Sequence, residues 1–121
     1  MIRAVTLDCW GTLFLDGPGS DERYKRQRLA GMQGTLAAAG VMVVPAQLDR
    51  AYVATGRWLG ALWQVNRDVS VRAHVGALLD AVDPALAARL DSVTMDALIR
   101  AYASPALVAP PAIDPGARVA L

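Results

Sequence analysis

Met1-Ile2-Arg3-Ala4-Val5-Thr6-Leu7-Asp8-Cys9-Trp10-Gly11-Thr12-Leu13-Phe14-Leu15-Asp16 opens the chain. Residues 2–7 are almost continuously apolar or β-branched and run straight into a carboxylate. A strand buried on both faces reads this way, and open α/β sheets place their ligands at the carboxyl ends of such strands. Residues 9–19 read as a loop that closes on the turn signal Asp16-Gly17-Pro18-Gly19. Beyond it the pattern turns helical, and only residues 41–44 offer a second extended run, one too short to build a sheet. A lone buried strand leaves its backbone donors and acceptors unpaired. The sequence therefore predicts a mostly α fold, with one N-terminal β-strand that needs a neighbour from a second copy or from another polypeptide.

The helical part divides at its own punctuation. Ser20 or Asp21 is placed to cap a first helix, with Glu22 in its first turn. Leu29, Met32 and Leu36 recur on one face, Arg23, Lys25, Arg26 and Arg28 fall on others, and Gly40 is a stop. Pro45 opens a second helix with an apolar stripe of Leu48, Tyr52, Leu59, Leu62 and Trp63, ending near Asn66. Ser70 caps a third helix carrying Val71, Val75, Leu78, Leu79 and Val82. A fourth segment follows Asp83-Pro84, runs through Leu98 and Tyr102, and stops at Ser104-Pro105. Residues 109–112 read as an extended linker, and Asp114-Pro115-Gly116 as the start of another helix. Residues 23–102 are expected to form an antiparallel helical bundle.

Composition narrows the function classes. Of 121 residues, 55% are hydrophobic and 19% charged, against about 45–50% and about 25% in ordinary globular chains. Such a chain folds, and its surface is apolar enough to expect a partner. Twelve basic and eleven acidic residues leave a net charge of +1, which gives no electrostatic case for nucleic acid. One Cys and one His exclude a disulfide scaffold and a Cys/His zinc cluster. No apolar run reaches the roughly 18 residues of a membrane span, and Arg3 and Asp8 interrupt the N-terminal run, so no signal peptide is expected. These features point to a soluble, cytoplasmic protein.

Asp8 is the leading candidate for chemistry. A strand-end carboxylate serves as a nucleophile or metal ligand, although the same residue type also caps turns. Arg23, Lys25, Arg26 and Arg28 form the basic cluster. A solvated helix face is the commoner explanation, and recognition of a small anionic substrate by Arg23 and Arg26 the functional one. His74, beside the third helix's apolar stripe, reads as a core-edge residue with no partner evident in sequence. Cys9 has no nearby histidine to activate it. Trp58 and Trp63 read as packing or interface residues.

Asp8-Cys9-Trp10-Gly11-Thr12-Leu13, with the strand before it, resembles motif one of the haloacid dehalogenase-like (HAD) hydrolases, an apolar strand followed by Asp-x-Asp-Gly-Thr-Leu/Val. The resemblance implies that Asp8 is a nucleophile forming an aspartyl intermediate. It implies magnesium bound by Asp8 and the Trp10 backbone carbonyl, with Thr12 hydrogen-bonding inside the catalytic loop. It further implies a helical cap inserted after motif one. Residues 1–19 would be the motif-one strand and loop, 20–104 the cap-like domain, and 105–121 the linker and the start of the helix returning to the core. The family's later motifs, a Ser or Thr, a Lys or Arg and an acidic pair, have no counterpart here. By this resemblance the chain is a truncated, split or degenerate hydrolase whose α/β core is incomplete and is completed, if at all, by a second polypeptide. The family's second Asp, the acid for the leaving group, is replaced by Trp10, and indole supplies no proton near neutral pH. The alternative is a non-catalytic helical interaction or dimerisation protein.

Overall fold

A computed structural model describes residues 14–108 and 111–120. The strand expected over residues 2–7, and with it Asp8, Cys9, Trp10 and Thr12, lies outside the described residues. The element order is β1 (Phe14–Leu15), α1 (Ser20–Ala38), α2 (Pro45–Gln64), α3 (Val71–Val82), α4 (Leu86–Arg89), α5 (Ser92–Ala103), α6 (Pro105–Val108), β2 (Ala112–Ile113) and α7 (Pro115–Ala120). No strand occurs between residues 20 and 108. The mostly α fold expected from the sequence is what the structure has.

The helix boundaries follow local chemistry. Pro45 occupies the first turn of α2, where a missing N–H costs nothing. The Ser70 hydroxyl accepts from Ala73 N at 3.1 Å and starts α3. The Asp91 carboxylate accepts from Thr94 N at 2.7 Å and starts α5. Both α1 and α2 end in a wrapped backbone turn, Val41 N donating to Leu36 O and Arg67 N to Leu62 O. Gly40 (φ 76°) and Asn66 (φ 53°) hold the left-handed conformation those turns require. The Asp114 carboxylate accepts from Gly116 N and Ala117 N and starts α7.

Three local expectations are corrected. Neither Ser20 nor Asp21 caps α1: Ser20 is already its first helical residue, and Gly19 takes the cap position in the left-handed region with no side-chain bond. The fourth segment is not continuous but divides into α4 and α5; it stops at Ser104 as expected, and Pro105 then opens the short α6, the position in a helix where proline fits best. The stretch read as loop contains β1, which pairs antiparallel with β2 in the register Phe14↔Ile113 and Leu15↔Ala112. Among the described residues, 41–44 have no partner strand; Val41 and Val43 pack on the core instead.

In the core, α1 packs mainly on α5 and α2 mainly on α3, with α3 also against α4 and α5. Met32, Leu36, Leu48, Ala51, Val75, Leu78, Leu79, Leu86, Met95 and Leu98 form one buried cluster. Gly31 sits against α5 so closely that a Cβ there would lie 3.2 Å from the Cβ of Ala101. Glycine thus sets the spacing at the tightest part of the α1–α5 contact.

Candidate functional site

The basic run on α1 separates into different environments. The Arg23 guanidinium lies 5.2 Å from the centre of the Tyr24 ring. Lys25 pairs with Asp49 of α2 at 2.7 Å, a hydrogen-bonded ion pair that raises the lysine pKa. Arg26 is exposed. Arg28 points another way and is half-buried. The two residues singled out for substrate, Arg23 and Arg26, are therefore not brought together with each other or with another polar cluster of the described residues.

Arg28 instead joins three helices, α1, α2 and α5. It follows Tyr24 and precedes Met32 and Leu36 at four-residue intervals, so it shares the buried face of α1. Arg28 thus shares the face of the apolar stripe rather than lying on another as the sequence pattern suggests; a long arginine stem packs along such a face while its head stays polar. Its Nε donates to Tyr102 O at 3.0 Å and its Nη1 to Tyr52 Oη at 3.0 Å. The guanidinium carbon lies 4.7 Å from the centre of the Tyr102 ring. Tyr102 is in the last turn of α5, where carbonyls lack helical partners, so Arg28 satisfies an orphan acceptor at the negative end of that helix.

His74 completes the cluster. It is 8% exposed, its ring stands edge-on to Tyr102 with centroids 5.2 Å apart, and Tyr102 Oη lies 3.4 Å from its Nδ1. The Trp58 ring is also near it, at 6.4 Å between centroids. Beside them the buried Thr55 hydroxyl donates back to Ala51 O at 2.8 Å. On each helix the cluster residue sits at one end of the core segment. Core positions follow Arg28 on α1, precede Tyr52 on α2, follow His74 on α3 and precede Tyr102 on α5. Arg28, Tyr52, His74 and Tyr102 thus form a polar, aromatic layer closing one end of the apolar core.

Burial first, and the nearby Arg28 charge second, push the His74 pKa below its ordinary 6.5. Burial chiefly, with Tyr52 adding to it, pushes the Tyr102 phenol up to about 12. The layer therefore holds one guanidinium charge, a neutral imidazole and a neutral Tyr102 phenol at pH 7.

This arrangement fixes a pH dependence. The unfolded chain binds a proton at His74 near pH 6.5, and the folded chain binds it only at lower pH. Stability is full above 6.5 and falls as the pH drops from there through the folded value, because the unfolded state then holds more protons. Urea midpoints measured between pH 7.5 and 5 should decline, and His74→Gln should flatten the decline. Asp68 and Asp91, whose pKa values lie below 3.8, lose their contributions only at still lower pH.

A groove of about 530 Å³ between α1 and α2 is lined by Leu29, Gln33, Pro45, Asp49 and Arg50 among others. Its Asp49 is already paired with Lys25. Among the described residues no three His, Cys, Asp or Glu side chains are grouped to hold a metal. No helix among them is long and apolar enough to cross a membrane. No family model, no curated protein and no solved structure matches the chain.

The sequence did carry a signal for Arg28: an arginine repeating at four-residue intervals with Tyr24, Met32 and Leu36 lies on the inward face. Its partnership with Tyr102, 74 positions later, had no local signal.

Proposed function

We propose that the chain is the cap-bearing part of a HAD-like hydrolase, with Asp8 as its nucleophile. The observation that carries this reading, beside the motif-one resemblance, is the pairing of β1 with β2. The helical part leaves the chain after Leu15 and returns at Ala112, and these two residues are partners in one ladder. A bundle inserted into another fold must begin and end side by side, and this one does.

In the proposed reaction an Asp8 carboxylate oxygen bonds to the electrophilic carbon or phosphorus of the substrate. The leaving group departs with the bonding pair, and water then hydrolyses the aspartyl ester. Departure as halide needs no proton. Departure as alkoxide needs one, and Trp10 cannot give it, at a cost of about 10²–10⁴-fold where general acid catalysis is lost. This favours a 2-haloacid over a phosphate ester. The Asp8 carboxylate and Trp10 carbonyl are hard oxygen donors that suit magnesium, which when bound supplies electrophilic stabilisation of developing negative charge. The remaining polar groups of the site would come from polypeptide outside these 121 residues.

The test uses two samples, the 121-residue chain alone and the chain co-expressed with the polypeptide encoded immediately downstream. Each is assayed with magnesium against 2-haloacids and phosphate esters. The completed sample is expected to turn over at a rate within reach of the enzyme median of about 10 per second, with Asp8→Asn abolishing it, and the chain alone to show no appreciable turnover. Magnesium-independent behaviour unchanged by Asp8→Asn would overturn the reading.

A second reading, a helical interaction protein, is favoured by exposed apolar side chains: Trp63 (59%), Val65 (63%), Leu107 (81%) and Val108 (79%). Under it the same samples would form a homo-oligomer by light scattering and show no activity.

A further inference from the structure

Among the described residues Arg28 has no carboxylate partner. The ion pairs among the described residues are Lys25–Asp49, Arg72–Asp96 and Arg89–Asp83. Of the five N–H donors of its guanidinium, Nε–H goes to Tyr102 O and one Nη1–H goes to Tyr52 Oη. The rest have no acceptor among the described residues. Tyr52 accepts from Arg28, and its hydroxyl also interacts with that of Tyr102. A neutral His74 that accepts from Tyr102 at Nδ1 carries its hydrogen on Nε2. No buried side-chain nitrogen or oxygen among the described residues lacks a partner. The spare donors of this half-buried cluster therefore reach solvent. Arg28 of α1, Tyr52 of α2 and His74 of α3 gather around Tyr102, and among the described residues no carboxylate pairs with the guanidinium.

We propose that this cluster binds a small organic carboxylate, held by the free edge of the Arg28 guanidinium, with the Tyr52 hydroxyl and His74 Nε2–H as further donors. The planar guanidinium matches the two oxygens of a carboxylate. The rings of Tyr102 and Trp58 suit an apolar body behind that head group. One fixed positive charge balances a monoanion, whereas a dianionic phosphate would bring more charge than the site answers. The proposal uses only side chains of α1, α2, α3 and α5 and does not rest on Asp8 being a nucleophile.

His74 is the only histidine in the chain, so its ring signals are unambiguous by NMR. The whole chain is titrated at pH 7.5 with sodium benzoate and with sodium acetate, sodium chloride holding ionic strength constant and inorganic phosphate as a comparator. A saturable shift of the His74 ring signals with both carboxylates, tighter for benzoate, is expected. Arg28→Lys keeps the charge but loses the fork and should weaken binding by about fivefold or more. Tyr52→Phe, which removes one hydroxyl and leaves the packing in place, should weaken it by about fivefold, the worth of one hydrogen bond of about 1 kcal/mol. Arg57→Ala, an exposed cation on α2, should change nothing. The proposal is overturned by a non-saturating response equal to that of chloride, by phosphate binding tighter than either carboxylate, or by Arg57→Ala weakening binding as much as Tyr52→Phe.

Discussion

Leu98→Ala is expected to remove about 2–5 kcal/mol of stability, the largest single effect of any substitution considered for this chain. Leu98 is fully buried on α5 and belongs to the cluster that also contains Met32, Leu36, Leu78 and Leu79. The helix carrying it packs on both α1 and α3. Truncation removes apolar contacts on two sides at once, and neighbours bound to separate helices cannot all collapse into the space. For a chain of this size the melting temperature should fall by on the order of 10 °C. Val93→Ala, five residues earlier on the same helix but 74% exposed, should change stability by less than about 0.5 kcal/mol. Urea unfolding of both variants makes the comparison. Equal losses at the two positions would mean that α5 is not packed as described.

Arg28→Met is the second large effect, at about 1.5–3 kcal/mol. Methionine preserves the stem that packs along α1 and removes only the charged fork. The change deletes the bond to the Tyr102 carbonyl, the bond to the Tyr52 hydroxyl and the stacking on the Tyr102 ring. Hydrogen bonds to charged groups account for about 1.5–3 kcal/mol each in stability, and a stranded carbonyl adds a desolvation penalty. Solvent reaches part of the cluster and offsets part of the loss, which keeps the expected total near the value for one such bond. Arg28→Met should also raise the pKa of His74, because the guanidinium charge is one of the two causes that lower it. Histidine titration followed by NMR reads that shift independently of stability. A His74 pKa that does not move would place the Arg28 charge elsewhere.

The sequence made the helices legible because their signals are local. Pro45, Ser70 and Gly40 act on residues within one turn of themselves, and the four-residue recurrence of Met32 and Leu36 needs no knowledge of partners. The β1–β2 pairing was not legible, because two residues such as Phe14 and Leu15 carry no periodicity. Their partners lie almost a chain length away, and what makes them a strand is the pairing itself. The candidate site was legible in part. The spacing of His74 beside the apolar stripe of α3 places it at the edge of the core, where it lies, yet its partner Tyr102 comes from a different helix. Arg28 was obscured by its company: among Arg23, Lys25 and Arg26 it looked like one more surface charge, and its position relative to Tyr24 and Met32 outweighs its residue type.

The short β1–β2 ladder also bears on how such a chain could change over generations. Neighbouring strands lie about 4.7–4.9 Å apart, so a turn of two to five residues is enough to join Leu15 directly to Ala112. Everything from residue 16 to residue 111 could then be excised, or replaced by a different bundle, without moving the backbone on either side of the junction. Geometrically the helices are a cassette on a fixed socket.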